Sequence, residues 1–426
     1  MNNLDNIYKE LGDKICLYPF FGAFYQTNNV VPTDQLSMPN SVRPCSIVES
    51  PDRHKWDITQ ETITESRNSP AWINMRKKFI KGDFNDIEDC ASCIYNERVG
   101  VTSPRQQNNK FWSEKLNLDI VAEVKNIVND DYHVKDIITL DYYPSNYCNY
   151  SCVMCAGGAS SQRQAFEVKF LDSKERILLN KPNSDFYSVL DRVEIINFTG
   201  GETVLQKQVY DVIDHLISIG RSKDVCITLL TNASSYPHGL IEKFQQFKEV
   251  IYNVSIDGIG PVIEYQRRGC DWATVESNSL QLLHHNFIVT VINYVLTGIN
   301  VFSAMDFVNW CYKNSIGPQT SDDLQKSFLN ISPVFRVDYM GQSCLPPELR
   351  TIALDRLYQG RDSYKQIGSV LADYYVEIIN RIINTIEETT YDPRSLELFV
   401  NHIRRENKAS RLPLHEVVPE WQPYFT

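Results

Sequence analysis

The chain has 426 residues, of which 42% are apolar and 22% are charged, and its formal net charge is −11 at pH 7. This length predicts two or three soluble domains with a large buried core. The negative charge argues against broad nucleic-acid binding, which depends on neutralising phosphates. The sequence contains no apolar run of 18 residues and no secretory signal pattern, so we expect no membrane span and a cytoplasmic location.

The first predicted domain covers residues 1–118, and its four cysteines are a candidate metal site. Eleven cysteines in a chain without a secretory signal indicate metal or redox chemistry rather than disulfides. The four in this domain are Cys16 and Cys45, followed by the C-x2-C pair Cys90 and Cys93. Four thiolates can hold zinc or a fully ligated 4Fe-4S cluster, and the spacing does not decide between the two.

A hairpin is predicted between the first two cysteines, from Leu17 to Pro44. Phe20–Gln26 is strand-like and aromatic, Asn28-Asn29 is a turn signal, and the apolar pattern resumes at Val30-Val31. Further along, helical spacing predicts a helix over Ala71–Ile80 that stops at Gly82. Residues 119–131 form a polar connecting segment, within a partly helical stretch at residues 112–128.

Strand-like runs alternate with helical patterns between residues 132 and 350, which predicts βα units on a parallel sheet. The predicted strands are Val134–Tyr143, Arg192–Phe198, Val225–Leu230, Glu249–Ile256, Ile288–Val295 and Asn330–Val337. The predicted helices are Gln162–Lys181, Gln206–Ile219, Tyr236–Phe247, Trp272–Asn286 and Met305–Asn314. In such folds ligands bind at the carboxyl ends of the strands.

Three cysteines follow the first of these strands at the spacing C-x3-C-x2-C: Cys148, Cys152 and Cys155. Three thiolates on one loop can bind three irons of a 4Fe-4S cube and leave the fourth iron open to a small molecule. A zinc loop that lacks its fourth ligand and three unrelated core thiols are the alternatives. His133 lies before the strand, and the next His and Cys downstream are His215 and Cys226.

The spacing, together with Asn149 and Met154, resembles the signature of the radical S-adenosylmethionine (radical SAM) superfamily. The resemblance implies a 4Fe-4S cluster whose open iron holds the amino and carboxylate groups of S-adenosylmethionine. It implies that an electron from the cluster cleaves the sulfonium to a 5′-deoxyadenosyl radical. It also implies an α/β fold with a partial (β/α)6 TIM-like barrel, which suits six predicted strands.

Motifs at two predicted strand ends resemble elements of that superfamily that bind the cofactor. Gly200-Gly201-Glu202 follows the second strand and resembles the GGE motif, which implies contacts with the amino group of S-adenosylmethionine. Thr231 and Asn232 follow the third strand and resemble the position that reaches the ribose or the carboxylate. For the first motif, a helix amino-terminal turn in which Glu202 favours the helix dipole is the alternative.

The fourth strand end carries a second set of resemblances. Ser255-Ile256-Asp257-Gly258 resembles the S-x-D-G element, which implies that Ser255 faces the cofactor and that Asp257 faces the cofactor or the cavity. Arg267 resembles the arginine that contacts the cofactor carboxylate, with Arg268 as the alternative and a surface arginine pair as the structural explanation. The end of the fifth strand carries Asn293, Thr297 and Asn300, which are candidates for adenine or substrate contacts or for purely structural roles.

The four-cysteine domain resembles the twitch domain, the short relative of the SPASM domain that carries an auxiliary iron–sulfur cluster. The resembling features are Cys16 with Pro19-Phe20, Pro44-Cys45, Arg76, Gly82, Cys90-x2-Cys93, Glu97, Gly100, Ser103 and Arg105. Twitch modules usually follow the barrel, whereas this one precedes it. The resemblance implies an auxiliary 4Fe-4S cluster that relays electrons or touches substrate, and a zinc hairpin that only stabilises the domain is the alternative.

Four further cysteines divide into core and loop positions. Cys226 begins a strand and Cys311 lies on an apolar helix face, so both are predicted to be core residues. Cys270 and Cys344 lie in loops on the predicted active side. Either is a candidate to donate a hydrogen atom to a substrate radical or to ligate a cluster, although an unmodified cysteine is usually a small buried hydrophobe.

The tail, residues 351–426, is predicted to be helical at Ile352–Tyr358, Val370–Glu387 and Ser395–Arg405. Its Arg404–Asn407 stretch and the late Pro419-Glu420 pair loosely resemble the tail that follows the barrel in twitch-type proteins. We expect the tail to cover the open side of the partial barrel. The sequence assigns no chemistry to it.

Together these features predict a radical SAM enzyme that modifies a peptide or protein side chain. A small metabolite, such as a sugar or nucleotide, is the alternative substrate, and oxidation or rearrangement is then the reaction. A non-catalytic zinc or iron–sulfur scaffold is the alternative from another class. The expected electron donor is a reductant such as flavodoxin or ferredoxin.

Overall fold

A computed structural model describes residues 3–33, 35, 37–48, 52, 54–58, 62–98, 102–320, 327–334 and 337–425. Gly100, which contributed to the twitch resemblance, and Phe335-Arg336 of the predicted last strand lie outside the described residues. Among the helices of the described ranges, none combines the length and the apolar character needed to cross a membrane.

The strands alternate with helices along most of the chain. The strands are β1 Gly22–Gln26, β2 Asn28–Pro32, β3 Ser41–Arg43, β4 Thr139–Tyr143, β5 Ser151–Cys152, β6 Glu175–Leu179, β7 Ile195–Phe198, β8 Cys226–Thr231, β9 Glu249–Ser255, β10 Arg267–Arg268, β11 Ile288–Leu296 and β12 Ser327–Pro333. The six strands predicted after residue 132 are therefore found, as β4, β7, β8, β9, β11 and β12.

The helices before β8 are α1 Leu4–Leu11, α2 Tyr18–Phe21, α3 Ile63–Ser66, α4 Pro70–Lys81, α5 Ala91–Arg98, α6 Pro104–Lys115, α7 Ile120–Asn129, α8 Ser161–Phe170, α9 Phe186–Val189 and α10 Lys207–Ser218. Those after it are α11 His238–Phe244, α12 Gly260–Gln266, α13 Trp272–Leu283, α14 Ala304–Lys313, α15 Pro347–Lys365, α16 Val370–Glu388, α17 Pro393–Glu406, α18 Leu414–Val417 and α19 Gln422–Phe425.

One compact unit contains residues 1–146, 175–228 and 239–249. Its strand order is β3-β1-β4-β7-β8. Strand β1 pairs in parallel with β4, and β4 pairs in parallel with β7, so that Leu140 lies opposite Ala23 on one side and Ile196 on the other. These three side chains are fully buried, which places the apolar core of the unit on the sheet.

The predicted hairpin in this unit is wrong, because β1 does not pair with the strand that follows it. One edge of β1 is taken by β3 and the other by β4. The predicted turn residues Asn28 and Asn29 are extended and belong to β2, which pairs antiparallel with β6. A strand has only two edges, so β2 has to find its partner elsewhere in the chain.

The predicted helix Gln162–Lys181 is correct only in its first half. Helix α8 ends at Phe170, and Asp172 has a positive φ of 56°, a conformation that an α-helix does not contain. The chain then continues as β6 at Glu175. Pairing with β2 supplies hydrogen bonds that the helical pattern of the sequence did not anticipate.

The other compact unit contains residues 147–174, 229–238 and 250–426. Its strands are the last three residues of β8, followed in the order of the sheet by β9, β11 and β12. Strand β11 is parallel to both β9 and β12. The βα alternation and the parallel pairings are those that a partial (β/α)6 barrel requires, and the fold is a mixed α/β fold with a parallel-strand sheet.

The second unit also contains the predicted tail helices, which are longer than their apolar patterns suggested. Helix α15 covers 347–365 rather than 352–358, and α17 covers 393–406. Helix α16 buries one face made of Leu371, Ala372, Tyr375, Ile378, Ile379, Ile382, Ile383 and Ile386. That spacing of three and four residues is the helical period, and it explains why the sequence located this helix within one residue.

Candidate functional site

The cysteine loop at 148–155 is held from one side by a short antiparallel pairing. Cys152 in β5 lies opposite Arg267 in β10. The amide of Val153 donates to the Gln266 carbonyl at 2.8 Å, which extends the pairing by one residue. A turn follows, in which the Cys155 amide donates to the Cys152 carbonyl at 3.1 Å. The loop therefore has a defined backbone path next to Arg267.

The beginning of the loop is fixed by side chains that the sequence left unassigned or placed elsewhere. The hydroxyl of Ser161 lies 3.2 Å from the Cys148 amide and 3.1 Å from its carbonyl, and it bridges the two. The Asn232 amide donates to Asn149 Oδ1 at 3.0 Å and lies 3.9 Å from Cys148 Sγ. Asn232, predicted as a cofactor contact, is therefore brought to the first cysteine of the loop.

The three loop cysteines are half-buried thiols that form no disulfide. Burial raises the pKa of Cys155 to about 11, and the neighbouring Cys148 acts in the same direction. Burial also raises the pKa of Cys152 well above its usual range, whereas the Arg267 guanidinium acts in the opposite direction. Because the thiols are close together, the charge of one raises the pKa of another. A metal that replaces their protons would remove that mutual penalty.

Arg267 is committed to an ion pair with Asp257, as the sequence did not foresee. Its Nε and Nη2 donate to Asp257 Oδ2 at 2.8 and 2.7 Å. The other carboxylate oxygen accepts from the Val295 amide at 2.9 Å. Asp257 is fully buried and the Arg267 side chain is 12% exposed. Burial lowers the pKa of Arg267, but Asp257 and Cys152 more than offset this, so the guanidinium remains charged beside the loop.

The remaining strand-end residues have different surroundings. Ser255 is the last residue of β9 and is half-buried, and Thr231 is the last residue of β8 and is buried. Thr297 and Asn300 are fully buried and form hydrogen bonds inside the fold, among them Thr297 Oγ1 to Gln266 Oε1 at 2.8 Å and Asn300 Nδ2 to the Asp257 carbonyl at 3.0 Å. Their contacts in this structure are structural.

Gly200 occupies a position that no other residue could take without a rearrangement. Its φ is +114°, and a Cβ at this position would lie 2.4 Å from the Tyr143 ring and 2.6 Å from the Ser145 carbonyl. The Gly201 amide donates to the same Ser145 carbonyl at 3.0 Å. Glu202 follows at 1% exposure. The turn after β7 is therefore packed directly on the segment that follows β4, within the first unit.

The four cysteines of the first predicted domain line one small cavity of about 50 Å³, within the first unit. They are Cys16, Cys45, Cys90 and Cys93. Burial raises the pKa of Cys16 to about 12 and that of Cys45 further, and each is also raised by other members of the set. The structure therefore brings together four thiols that are distant in sequence.

No three His, Cys, Asp or Glu side chains in the described ranges are grouped so that they would hold one metal ion as they stand. A structural zinc site needs its sulfurs about 2.3 Å from one point. A 4Fe-4S cluster makes a different demand, because each thiolate binds its own iron.

An ion pair lies beside the four-cysteine cavity. The Nε and Nη2 of Arg105 donate to the two carboxylate oxygens of Glu97 at 2.8 and 2.9 Å, and the Ser103 hydroxyl donates to Glu97 Oε1 at 2.7 Å. Burial would raise the pKa of Glu97, but these hydrogen bonds hold it below its usual value. Three residues of the twitch resemblance thus form one buried cluster.

The four remaining cysteines differ in exposure. Cys226 and Cys311 are buried at 1% and 0% exposure, which confirms them as core residues. Cys344 is also completely buried, and a Cβ at Gly298 would lie 2.5 Å from its sulfur. Cys270 is half-buried and lines a surface cavity of about 500 Å³, and burial raises its pKa to about 11.

A buried ionic cluster in the second unit was missed by the sequence. We call it the carboxylate junction, and it consists of Arg163, Arg268, His402 and Glu406. Glu406 is completely buried and accepts from both arginines, at 2.8 Å from Arg163 and 2.9 Å from Arg268. The only signal in the sequence was the loose tail resemblance at 404–407, which carried no chemistry.

Distant similarities to solved structures accompany this geometry. Streptococcus suis SuiB bound to the precursor peptide SuiA has 15% sequence identity and a TM-score of 0.37, and the match covers 64% of this chain and 60% of SuiB. Hexahistidine-tagged anSMEcpe with bound AdoMet has 16% identity and a TM-score of 0.40, with 55% of this chain and 62% of anSMEcpe covered. The chain thus spans less than two thirds of the length of either structure.

No curated protein is significantly similar to this chain in sequence. The family model described as the radical SAM superfamily matches residues 142–311. That range begins in β4 and contains the cysteine loop, the Gly200 turn and the Asp257–Arg267 pair. Residues 142–311 of this chain therefore match a radical SAM domain.

Proposed function

We propose that this chain is an enzyme that binds a 4Fe-4S cluster at Cys148, Cys152 and Cys155, cleaves S-adenosylmethionine reductively and modifies a peptide or protein side chain. The observation that carries the first part is the loop of three adjacent thiols inside the radical SAM domain. The substrate class rests on the twitch-like cysteine set, because auxiliary-cluster domains are common in radical SAM enzymes that act on peptides.

The loop fits an iron–sulfur cluster by its donor set. Three neighbouring thiols are reduced and half-buried. The Asn232 amide, a neutral donor, is 3.9 Å from Cys148 Sγ. On the other side, Arg267 places a positive charge beside Cys152. A cluster with three thiolates carries a net negative charge, which a hydrogen-bond donor and a guanidinium both stabilise.

When held by Cys148, Cys152 and Cys155, such a cluster would supply the electron for reductive cleavage of S-adenosylmethionine, and so the radical chemistry that acts on the substrate. The chain's own residues bind and orient S-adenosylmethionine. Asp257 fixes the direction of Arg267 through two hydrogen bonds. By resemblance, Arg267 reaches the cofactor carboxylate. The fully buried Asp257 and the buried Thr231 belong to surroundings that exclude water from the reaction.

The roles of the other strand-end residues are assigned by resemblance. Gly200, Gly201 and Glu202 bind the amino group of the cofactor, and Thr231 and Asn232 reach the ribose or the carboxylate. Ser255 faces the cofactor. The absence of a Cβ at Gly200 supports the first assignment, because its backbone lies in a tight turn that a side chain would displace.

The proposal is tested by anaerobic reconstitution with iron and sulfide, followed by reduction and addition of S-adenosylmethionine. We expect 5′-deoxyadenosine to form, with flavodoxin or ferredoxin replacing the chemical reductant. A sample prepared without iron is the control. Zinc in both cysteine sites with no 5′-deoxyadenosine would contradict the proposal and favour the scaffold.

The substrate class is tested separately from cofactor cleavage. The reconstituted enzyme is incubated with candidate peptides or with sugars and nucleotides, and the products are measured by mass spectrometry. We expect a mass change of a peptide, caused by a crosslink, epimerisation or oxidation. If a metabolite were converted while every peptide mass stayed unchanged, the proposed substrate would be a small molecule rather than a peptide. The proposed radical chemistry would still stand.

We further propose that Cys16, Cys45, Cys90 and Cys93 hold an auxiliary 4Fe-4S cluster. The four thiols line one cavity with the Glu97–Arg105 pair at its side. Cys270 is a candidate to donate a hydrogen atom to substrate, since it is half-buried beside a cavity. Cys344 is a weaker candidate for that role in this conformation, because it is completely buried.

A further inference from the structure

Helix α17 in the tail carries one of the few completely buried carboxylates of the described residues. Glu406, at its last position, is 0% exposed. Its Oε1 lies 2.8 Å from Arg163 Nη1 and its Oε2 lies 2.9 Å from Arg268 Nη2. Arg163 is 3% exposed and Arg268 is 19% exposed. A charged group in such a place is stable only while its partners remain.

Both arginines belong to backbone segments that adjoin the cysteine loop. Arg268 belongs to β10 and lies opposite Ser151 in β5. Arg163 lies in the first turn of α8, which begins just after the loop. There the Ser160 hydroxyl donates to the Tyr150 carbonyl, which joins the start of α8 to the strand end before Cys152. One carboxylate therefore ties together the two backbone segments that flank the loop.

His402, one helical turn before Glu406, contacts the loop directly. Its Nε2 lies 3.1 Å from the carbonyl of Val153, between the second and third cysteines. A carbonyl only accepts, so Nε2 is the donor. Nδ1 then accepts from the Tyr339 hydroxyl at 3.5 Å. The ring is thereby oriented by one contact and holds the loop by the other.

We propose that α17 is a positioning element for the cysteine loop, in which Glu406 and His402 set how firmly the loop retains its cluster. This inference rests on the proposed function of the loop. Its residues all belong to one compact unit of the structure. The junction orders the loop in advance, so that the three thiols need not be gathered at the moment of binding.

The first test needs no cluster. Hydrogen exchange is measured by mass spectrometry on the iron-free chain for the peptide that contains residues 148–156, where the amides of Val153 and Cys155 are hydrogen-bonded. Glu406→Gln keeps the size of the side chain and removes its charge. We expect exchange in this peptide to become about tenfold faster, because Arg268 loses its counter-charge and Arg163 keeps only Glu167, at 3.1 Å. Glu397→Gln, an exposed site on the same helix, is the matched control.

The second test measures iron release from the reconstituted chain to a chelator, by the loss of cluster absorbance. We expect His402→Leu to release iron about fivefold faster than the wild type, because it removes one hydrogen bond to the loop. His402→Gln should restore slow release, since its amide nitrogen can donate in place of Nε2. The global unfolding midpoint of both His402 variants is measured alongside.

The outcomes separate the inference from the proposed function. If the wild type takes up no cluster, the proposed function of the loop fails, whereas the exchange test still reports on the junction. If the wild type binds a cluster and Glu406→Gln exchanges and releases iron as the wild type does, the positioning role is refuted. If both His402→Leu and His402→Gln release iron equally fast and both have a lowered unfolding midpoint, His402 has only a structural role. That result would also refute the positioning role.

Discussion

The two cysteine sites of this chain differ in the number of thiols that each contains. In the first unit, four thiols line a cavity of about 50 Å³, and the Glu97–Arg105 pair lies beside it. In the second unit, three half-buried thiols lie on one loop. A site with every position filled by protein suits structure or electron transfer, and a site with one position left open suits chemistry on a small molecule.

Both sites place an arginine–carboxylate pair next to their thiols, yet the pairs have different settings. The side chains of Arg105 and Glu97 are 2% and 8% exposed, and Ser103 adds a hydrogen bond to the same carboxylate. Arg267 is 12% exposed, and its partner Asp257 is at 0%. Arg105 is therefore enclosed, while Arg267 keeps a part of its surface for another ligand. The comparison shows that an arginine–carboxylate pair can be almost fully enclosed beside one site and partly accessible to a ligand beside the other.

The largest expected effect comes from the three-thiol loop. Cys148→Ala should lower 5′-deoxyadenosine formation by more than about 100-fold, since even outer contacts of metal ligands are worth 10- to 100-fold. Formation is measured after anaerobic reconstitution and reduction. Cys226→Ala, at a core thiol, is the matched control. Unchanged formation in Cys148→Ala would erase the distinction between the two sites.

The second effect concerns the four-thiol cavity. Cys45→Ala should lower the iron content from about eight to about four per chain, because one of two 4Fe-4S clusters is lost. Cofactor cleavage without substrate should persist, and turnover of the substrate should stop. Iron and sulfide analysis with an uncoupled cleavage assay checks both. If zinc is lost instead of iron, the cavity is a zinc site and the relay role is excluded.

The third effect sharpens the comparison of the two ion pairs. Arg267→Gln should destabilise the chain by about 3–5 kcal/mol, because it leaves the fully buried Asp257 without its cationic partner. Arg105→Gln should destabilise the chain less, because Lys14 still pairs with Glu97 at 3.2 Å. Only Arg267→Gln should also weaken S-adenosylmethionine binding, by about tenfold. Urea unfolding and cofactor titration measure the two effects. A parallel loss of cofactor binding in Arg105→Gln would mean that the arginines are equivalent.

The smallest effect is expected at Asn232. Replacing it with Ala removes the donor to Asn149 and the neighbour of Cys148 Sγ, which should cost about 1 kcal/mol and raise the KM for S-adenosylmethionine about fivefold. Asn330→Ala, which removes an exposed hydrogen bond to Asn293, is the control. If the two variants have the same stability and the same KM for S-adenosylmethionine, Asn232 does not support the loop.

The elements that the sequence predicted well are those whose pattern is local. Strands β9 and β11 and helix α16 were located within about one residue, because burial of one face imposes a short period on the apolar side chains. The hairpin predicted between Cys16 and Cys45 was wrong for the opposite reason. The apolar pattern around Asn28 identifies extended chain, but it does not say which edge that chain will pair with.

The same contrast holds at the candidate sites. The spacing identified the three thiols of the loop as a candidate set, because they lie within eight residues of the sequence. It also suggested the four thiols that the structure brings to one cavity. Spacing revealed neither the Asp257–Arg267 pair nor the carboxylate junction, in which Arg163 and Glu406 are 243 positions apart. Such pairs leave no periodic trace.

By itself the sequence determined the chemistry of the ligands and the alternation of strands and helices, since both depend on neighbours along the chain. The tertiary structure decided that β1 lies beside β4, that β2 pairs with β6 and that Glu406 pairs with Arg163. Strand edges and buried charges must be satisfied by whatever group the packed chain brings to them. That choice is made only when the whole chain is folded.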